Sequence, residues 1–174
     1  MKRSLTTFVA AATAIFAATA AFAERPIELA LLSPIQLNSP GESIRGLRIS
    51  LLYGENAAVA GIDWSLVSKT TGDQIGWQLG LVHLNGGDFI GLQEGAYNQV
   101  DGSFKGWQAG LVNVTKGRFS GFQSAFYNEA GDFHGVQFGL WNTVQSLEGL
   151  QIGIINLIRS GQPRGFLPIV NWNF

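Results

Sequence analysis

Two histidines, one isolated glutamate and one oppositely charged pair are the side chains of this sequence best suited to chemistry. His83 and His134 lie 51 residues apart, in different repeats and at different strand positions, so no metal-ligand spacing joins them. Each reads as an interfacial or surface residue. Ser120, in Gly117-Arg118-Phe119-Ser120-Gly121, lacks the glycine two residues before it that a nucleophile elbow uses. Glu94 is the most suggestive carboxylate, because it interrupts an otherwise apolar strand face. It could serve a subunit contact or a ligand, but a single acid without a partner makes no acid–base pair. With no Cys there is no disulfide framework and no thiolate nucleophile or metal ligand. No catalytic, cofactor-binding or metal-binding residues are expected, and the chain reads as a non-enzyme.

The elements that carry these residues form one repeat. Gly46, Gly61, Gly76, Gly91, Gly106 and Gly121 fall at intervals of 15, and Gly135 and Gly149 follow at intervals of 14. Counting each leading glycine as position 1, position 3 is Arg48, Asp63, Gln78, Gln93, Gln108, Gln123, Gln137 and Gln151. Position 8 is Asn98, Asn113, Asn128, Asn142 and Asn156 in the last five repeats, with His83 before them. The unit is Gly-x-Gln-x-Gly-x-x-Asn. Positions 2, 4 and 6 share one strand face, and only Glu94 and Ser124 among them are polar. Such alternation predicts strands. Gly-containing segments such as Asn85-Gly86-Gly87-Asp88 and Asp101-Gly102 separate them as tight turns.

Two all-β architectures accommodate this row of strands. The main expectation is an up-and-down antiparallel transmembrane β-barrel of about ten strands; the alternative is a β-solenoid with coils of 14–15 residues. Strands of about 11 residues match the ~9–11 that cross a bilayer. The bulky 2/4/6 face would meet lipid, and the polar face would fill the lumen. Arg48, Asp63 and the six glutamines would then point inward, the glutamines as two partial rings near opposite mouths, with Arg48 and Asp63 pairing across neighbouring strands. Against the barrel stand Glu94 on the lipid face and a motif that recurs every strand rather than every second one. Loops at 37–44, 69–73, 100–103, 129–132 and 159–164 would be extracellular, with Glu42, Arg45, Arg159 and Arg164 clustered as an outside contact.

The last strand alternates Phe166, Pro168, Val170, Trp172 and Phe174. This end, above all Val170, Trp172 and Phe174, resembles the C-terminal assembly signal of bacterial outer-membrane barrels and implies their assembly machinery as a partner. Gly149-Leu150-Gln151-Ile152-Gly153-Ile154-Ile155-Asn156 and Phe166-Leu167-Pro168-Ile169-Val170-Asn171 resemble the repeats of a loosely described family of bacterial exported surface-repeat proteins. The resemblance covers roughly residues 46–174. It implies class and location, with no activity to carry over, and the early repeats depart from it at Arg48 and Asp63.

The 174 residues carry 11 basic and 12 acidic side chains, so the chain is no polycation for nucleic acid. Met1-Lys2-Arg3, an apolar run from Phe8 to Phe22 and Ala21-Phe22-Ala23 form the three-part pattern of a secretory signal peptide over residues 1–23, leaving residues 24–174 as one β-repeat domain. The reading from sequence is therefore a small outer-membrane barrel of a Gram-negative cell. It has a structural or surface role, a mostly filled lumen, minor passage of small polar solutes at most, and outer-membrane lipid as its surroundings. The alternative function is an exported β-solenoid acting as a binding or surface-interaction module.

Overall fold

The computed structural model describes residues 25–160 and 165–174. The signal-peptide reading of residues 1–23 and the proposed contact residue Arg164 lie outside them. The described residues form β1 (Arg25–Leu32), β2 (Ile35–Gln36), β3 (Ile44–Asn56), β4 (Val59–Thr70), β5 (Gln74–Asn85), β6 (Phe89–Val100), β7 (Phe104–Thr115), β8 (Phe119–Ile158) and β9 (Gly165–Asn173). They make a single sheet in the order β2-β1-β3-β4-β5-β6-β7-β8-β9.

Pairing from β1·β3 through β7·β8 is parallel. Equivalent repeat positions are in register, so Gly91 lies beside Gly106 and Gln93 beside Gln108. That overturns the antiparallel barrel. In a hairpin, Gln93 and Gln108 would sit at opposite ends of adjacent strands; here they are direct neighbours. The chain turns through a full coil in each repeat, and β8 continues through the last repeats with a 14-residue offset. The eight Gly-led repeats thus stack through seven parallel steps as a β-solenoid. The turns between the Gly-led repeats, read as alternating hairpins, are successive copies of one corner, so they do not divide into extracellular and periplasmic sets; only the connection from β8 to β9 leads into an antiparallel pair. Glu42 and Arg45 belong to the first coils and Arg159 to the last, so they form no common contact.

Each coil has two arms. In the Phe104 coil the buried positions are Phe104 and Gln108, then Asn113 and Thr115, with four consecutive unburied residues between. Inward parity switches there, which marks the corner at Gly110-Leu111. The other corner is the Gly-containing turn at 116–118. At the turn end of the interior, Phe89, Phe104, Phe119 and Phe133 stack with centroids 4.9–5.0 Å apart. They pack with Val100, Ala130, Val144 and Ile158 from the facing arm.

The leading glycines are a requirement of the stacking. Gly106 has φ +136°, where an L side chain is strained, and a Cβ there would run into the carbonyl oxygen of Gly91 in the preceding coil.

Both ends are covered. Glu28 occupies position 3 of the partial first coil, in register with Arg48, and is fully buried. Its carboxylate accepts from the Leu37 and Asn38 backbone amides and from Asn38 Nδ2, which folds segment 33–43 over that end. At the other end β9 runs antiparallel along the last coil, pairing Val170 with Ile152 and Trp172 with Leu150. It closes no barrel. Trp172 is exposed and Phe174 lies beyond the last pair.

Candidate functional site

The polar position-3 residues form one continuous column, not two rings. Arg48, Asp63, Gln78, Gln93, Gln108, Gln123, Gln137 and Gln151 are all fully buried. Each glutamine Nε2 donates to the column member of the preceding coil: Gln93 to Gln78 at 2.7 Å, Gln108 to Gln93 at 2.7 Å, Gln123 to Gln108 at 2.8 Å, Gln137 to Gln123 at 2.7 Å and Gln151 to Gln137 at 2.8 Å. Asn171 of β9 extends the column, donating to Gln151 Oε1 at 3.1 Å. At the other end Gln78 donates to Asp63 Oδ2 at 2.9 Å. All the amide dipoles therefore point the same way and finish on a carboxylate.

Asp63 is suited to that position. Arg48 Nε donates to Oδ1 at 2.8 Å and Nη2 to Oδ2, while Ser65, Gln74 and Gln78 supply further donors. Burial alone would push the carboxyl upward. The Arg48 charge, its hydrogen bonds and those of Ser65 and Gln78 outweigh burial and hold Asp63 at about 2.

The asparagines form a second column with the opposite polarity. Asn98 Nδ2 donates forward to Asn113 Oδ1 at 2.8 Å, and the pattern continues through Asn128 and Asn142 to Asn156. The same Nδ2 atoms reach the position-4 carbonyls of the next coil, as Asn98 does to Ala109 O at 2.8 Å. They staple the Gly110-type corner of each coil to the coil before it.

His83 is not an interfacial or surface residue. It occupies the asparagine column and is fully buried. Its Nδ1 lies 2.7 Å from Ser68 Oγ and its Nε2 3.1 Å from the Glu94 carbonyl oxygen. A carbonyl only accepts, so Nε2 carries the proton and Nδ1 accepts from Ser68. Burial pushes the imidazole below its usual range, against the pull of Asp63. Because His83 directs its proton to Glu94 O, the Oδ1 of Asn98 is left buried without a partner. His83→Asn supplies that missing donor and is expected to raise stability by about 1 kcal/mol, read as a higher urea midpoint.

The remaining candidates are not brought together. His134 is exposed, 3.3 Å from Glu148 on the turn edge. Ser120 stands in register with Lys105 just before a leading glycine. Glu94 is exposed on the outer face between Leu79 and Ala109 of neighbouring coils. No group of three or more His, Cys, Asp or Glu could hold a metal among the described residues.

The interior is thus filled, and what the fold offers to other molecules is its outside. Positions 2, 4 and 6 point outward, leaving Ile62, Trp64, Trp77, Trp107, Leu111 and Phe126 at least two-fifths exposed. The glycines at position 5 form the floor of a groove between rows 4 and 6. Its C-terminal stretch, about 500 Å³, is lined by Phe126, Phe138, Leu140, Ile152, Ile154 and Ile169. A second stretch of about 410 Å³ runs past Trp64, Leu66 and Leu79.

The class defined by this geometry is a parallel β-solenoid with amide columns inside and apolar ladders outside. No family model matches the chain, and neither a curated protein nor a solved structure does.

Proposed function

We propose that the protein is an exported β-solenoid acting as a surface-interaction module of the cell envelope. Its outer apolar ladders dock on a neighbouring apolar surface, and it works without catalysis. The observation that carries this reading is the exposed 2/4/6 face. Seven steps of ~4.8 Å by four residues of ~3.3 Å give a patch of roughly 34 by 13 Å, on the order of 450 Å² before side chains corrugate it. That lies within the ~300–600 Å² of the largest apolar patch on a typical monomer, a patch that is often functional. The leader-like residues 1–23 and the resemblance to exported surface-repeat proteins support an envelope location, with the outer membrane of a Gram-negative cell as the proposed site.

The test is fractionation of producing cells. The wild-type chain is expected in the envelope sediment. Trp77→Glu/Trp107→Glu, with unchanged far-UV circular dichroism, is expected in the soluble fraction. Equal distribution of the two proteins would refute the reading.

A further inference from the structure

The apolar surface is not confined to one face. Position 6, with Leu66, Leu81, Leu111 and Phe126, forms a ridge along the corner. Arm one falls away from it through positions 4 and 2. Arm two falls away through position 7, which is Val67, Val82, Tyr97, Val112, Tyr127, Trp141 and Ile155 in successive coils. A convex ridge that is apolar on both flanks suits a fluid surround better than a single flat partner.

Charge is segregated to the opposite edge. Among the described residues, the charged side chains of the stacked coils lie between position 9 and the residue before the next leading glycine, apart from Glu94 and the buried Glu28, Arg48 and Asp63. Several pair between coils along this turn edge: Lys69 with Glu55 at 2.9 Å, Lys116 with Asp101 at 2.7 Å and Arg159 with Glu129 at 3.0 Å.

Between ridge and turn edge lies an oriented aromatic row. Tyr97 Oη donates to Gln99 Oε1 at 2.9 Å, Tyr127 Oη donates to Glu129, and Trp141 Nε1 donates to Thr143 Oγ1 at 2.9 Å. In each case the polar tip turns toward position 9, on the side of the turn edge, and the ring lies toward the ridge. Amphipathic rings in this orientation are what the boundary between hydrocarbon and water selects. From position 6 to position 9 is three residues, about 10 Å along the strand. That matches the ~5–10 Å by which interfacial elements sink into a leaflet.

We propose that the solenoid lies in one leaflet of a lipid bilayer with its axis in the membrane plane. The ridge is sunk among acyl chains, the Tyr97–Tyr127–Trp141 row sits at headgroup level, and the ion-paired turn edge remains in water. The proposal rests on the surface-module reading and names its partner. Glu94, on arm one above a ridge lowered by Ala96, is the one charge among the described residues that opposes insertion.

The test uses the full chain with vesicles of phosphatidylethanolamine and phosphatidylglycerol, some carrying acyl chains brominated at shallow or deep carbons. Residues 1–23 are common to all variants, so differences between variants belong to the ridge. Wild type is expected to float with the vesicles, with tryptophan fluorescence quenched more by shallow than by deep bromines. Leu81→Glu/Leu111→Glu is expected to lower partitioning at least tenfold, and Glu94→Leu to raise it several-fold, both with unchanged circular dichroism. Equal partitioning of wild type and the ridge variant would overturn the proposal. So would a wild-type chain that stays in solution as a defined dimer beside the vesicles. If envelope retention in cells depends on the apolar face while pure lipid vesicles do not bind, the surface module stands and its lipid partner is rejected.

Discussion

Gly106→Ala is expected to destabilise the fold by about 3 kcal/mol, more than most single substitutions do. Two costs combine. Alanine at φ +136° is strained by about 1–3 kcal/mol. Its Cβ also meets the Gly91 carbonyl oxygen, a backbone atom with no rotamer to give way. Relief requires the coils to separate, which stretches the hydrogen bonds of the Gln93–Gln108 and Asn98–Asn113 steps. Overpacking of this kind adds about 1–3 kcal/mol. Gly41 is the control: a Cβ there meets open space, and Gly41→Ala is expected to change stability by less than about 0.5 kcal/mol. Urea unfolding of the two variants measures the contrast.

Arg48→Leu is expected to cost about 3–5 kcal/mol, because it leaves the Asp63 carboxylate buried without its counter-charge. The double variant Arg48→Leu/Asp63→Leu should recover much of this loss. The pH dependence supplies a second readout. Asp63 is held at about 2 in the fold, below its unfolded value of 3.8. A depressed carboxyl contributes stability that is complete above about pH 4 and fades as pH falls toward 2, on the order of 2 kcal/mol in all. In Arg48→Leu the unpaired carboxyl is harder to ionise than in the unfolded chain, so acidification should stabilise that variant. Urea midpoints between pH 2 and 5 should therefore slope in opposite directions for the two proteins.

Much of this was legible in the sequence. The repeat, its 15- and 14-residue offsets and the outward direction of the 2/4/6 ladders are in the residue pattern. So is the inward direction of the glutamines. The strand direction is not, because positions 1 to 6 alternate without a break, and a Gly-Asp or Asp-Gly turn fits a hairpin as well as a solenoid corner. The discriminating signal was position 8. Counted along one unbroken strand, Asn98 and Asn113 fall on the same face as Trp107 and Leu111. Placing them inside requires the inward parity to switch, and the glycine at position 5 is where it does. The phenylalanine column was equally visible, as Phe89, Phe104 and Phe119 recur two residues before successive leading glycines. The burial of His83 follows from its place in the asparagine column, which a strand-by-strand reading does not reveal. The orphaned Asn98 oxygen depends on a hydrogen-bond direction, and only coordinates give that.

A pair of cysteines tests parallel, in-register stacking most directly, in a chain with none of its own. Lys105 and Ser120 are register partners on adjacent coils. Their Cα atoms lie about one strand spacing apart, within the ~4.4–6.8 Å that a disulfide spans. Lys105→Cys/Ser120→Cys is expected to form an intramolecular disulfide under mild oxidation, while Leu111→Cys/Phe122→Cys, matched instead to a two-residue hairpin at Lys116-Gly117, should stay reduced. Disulfide formation in the second pair but not in the first would contradict the solenoid.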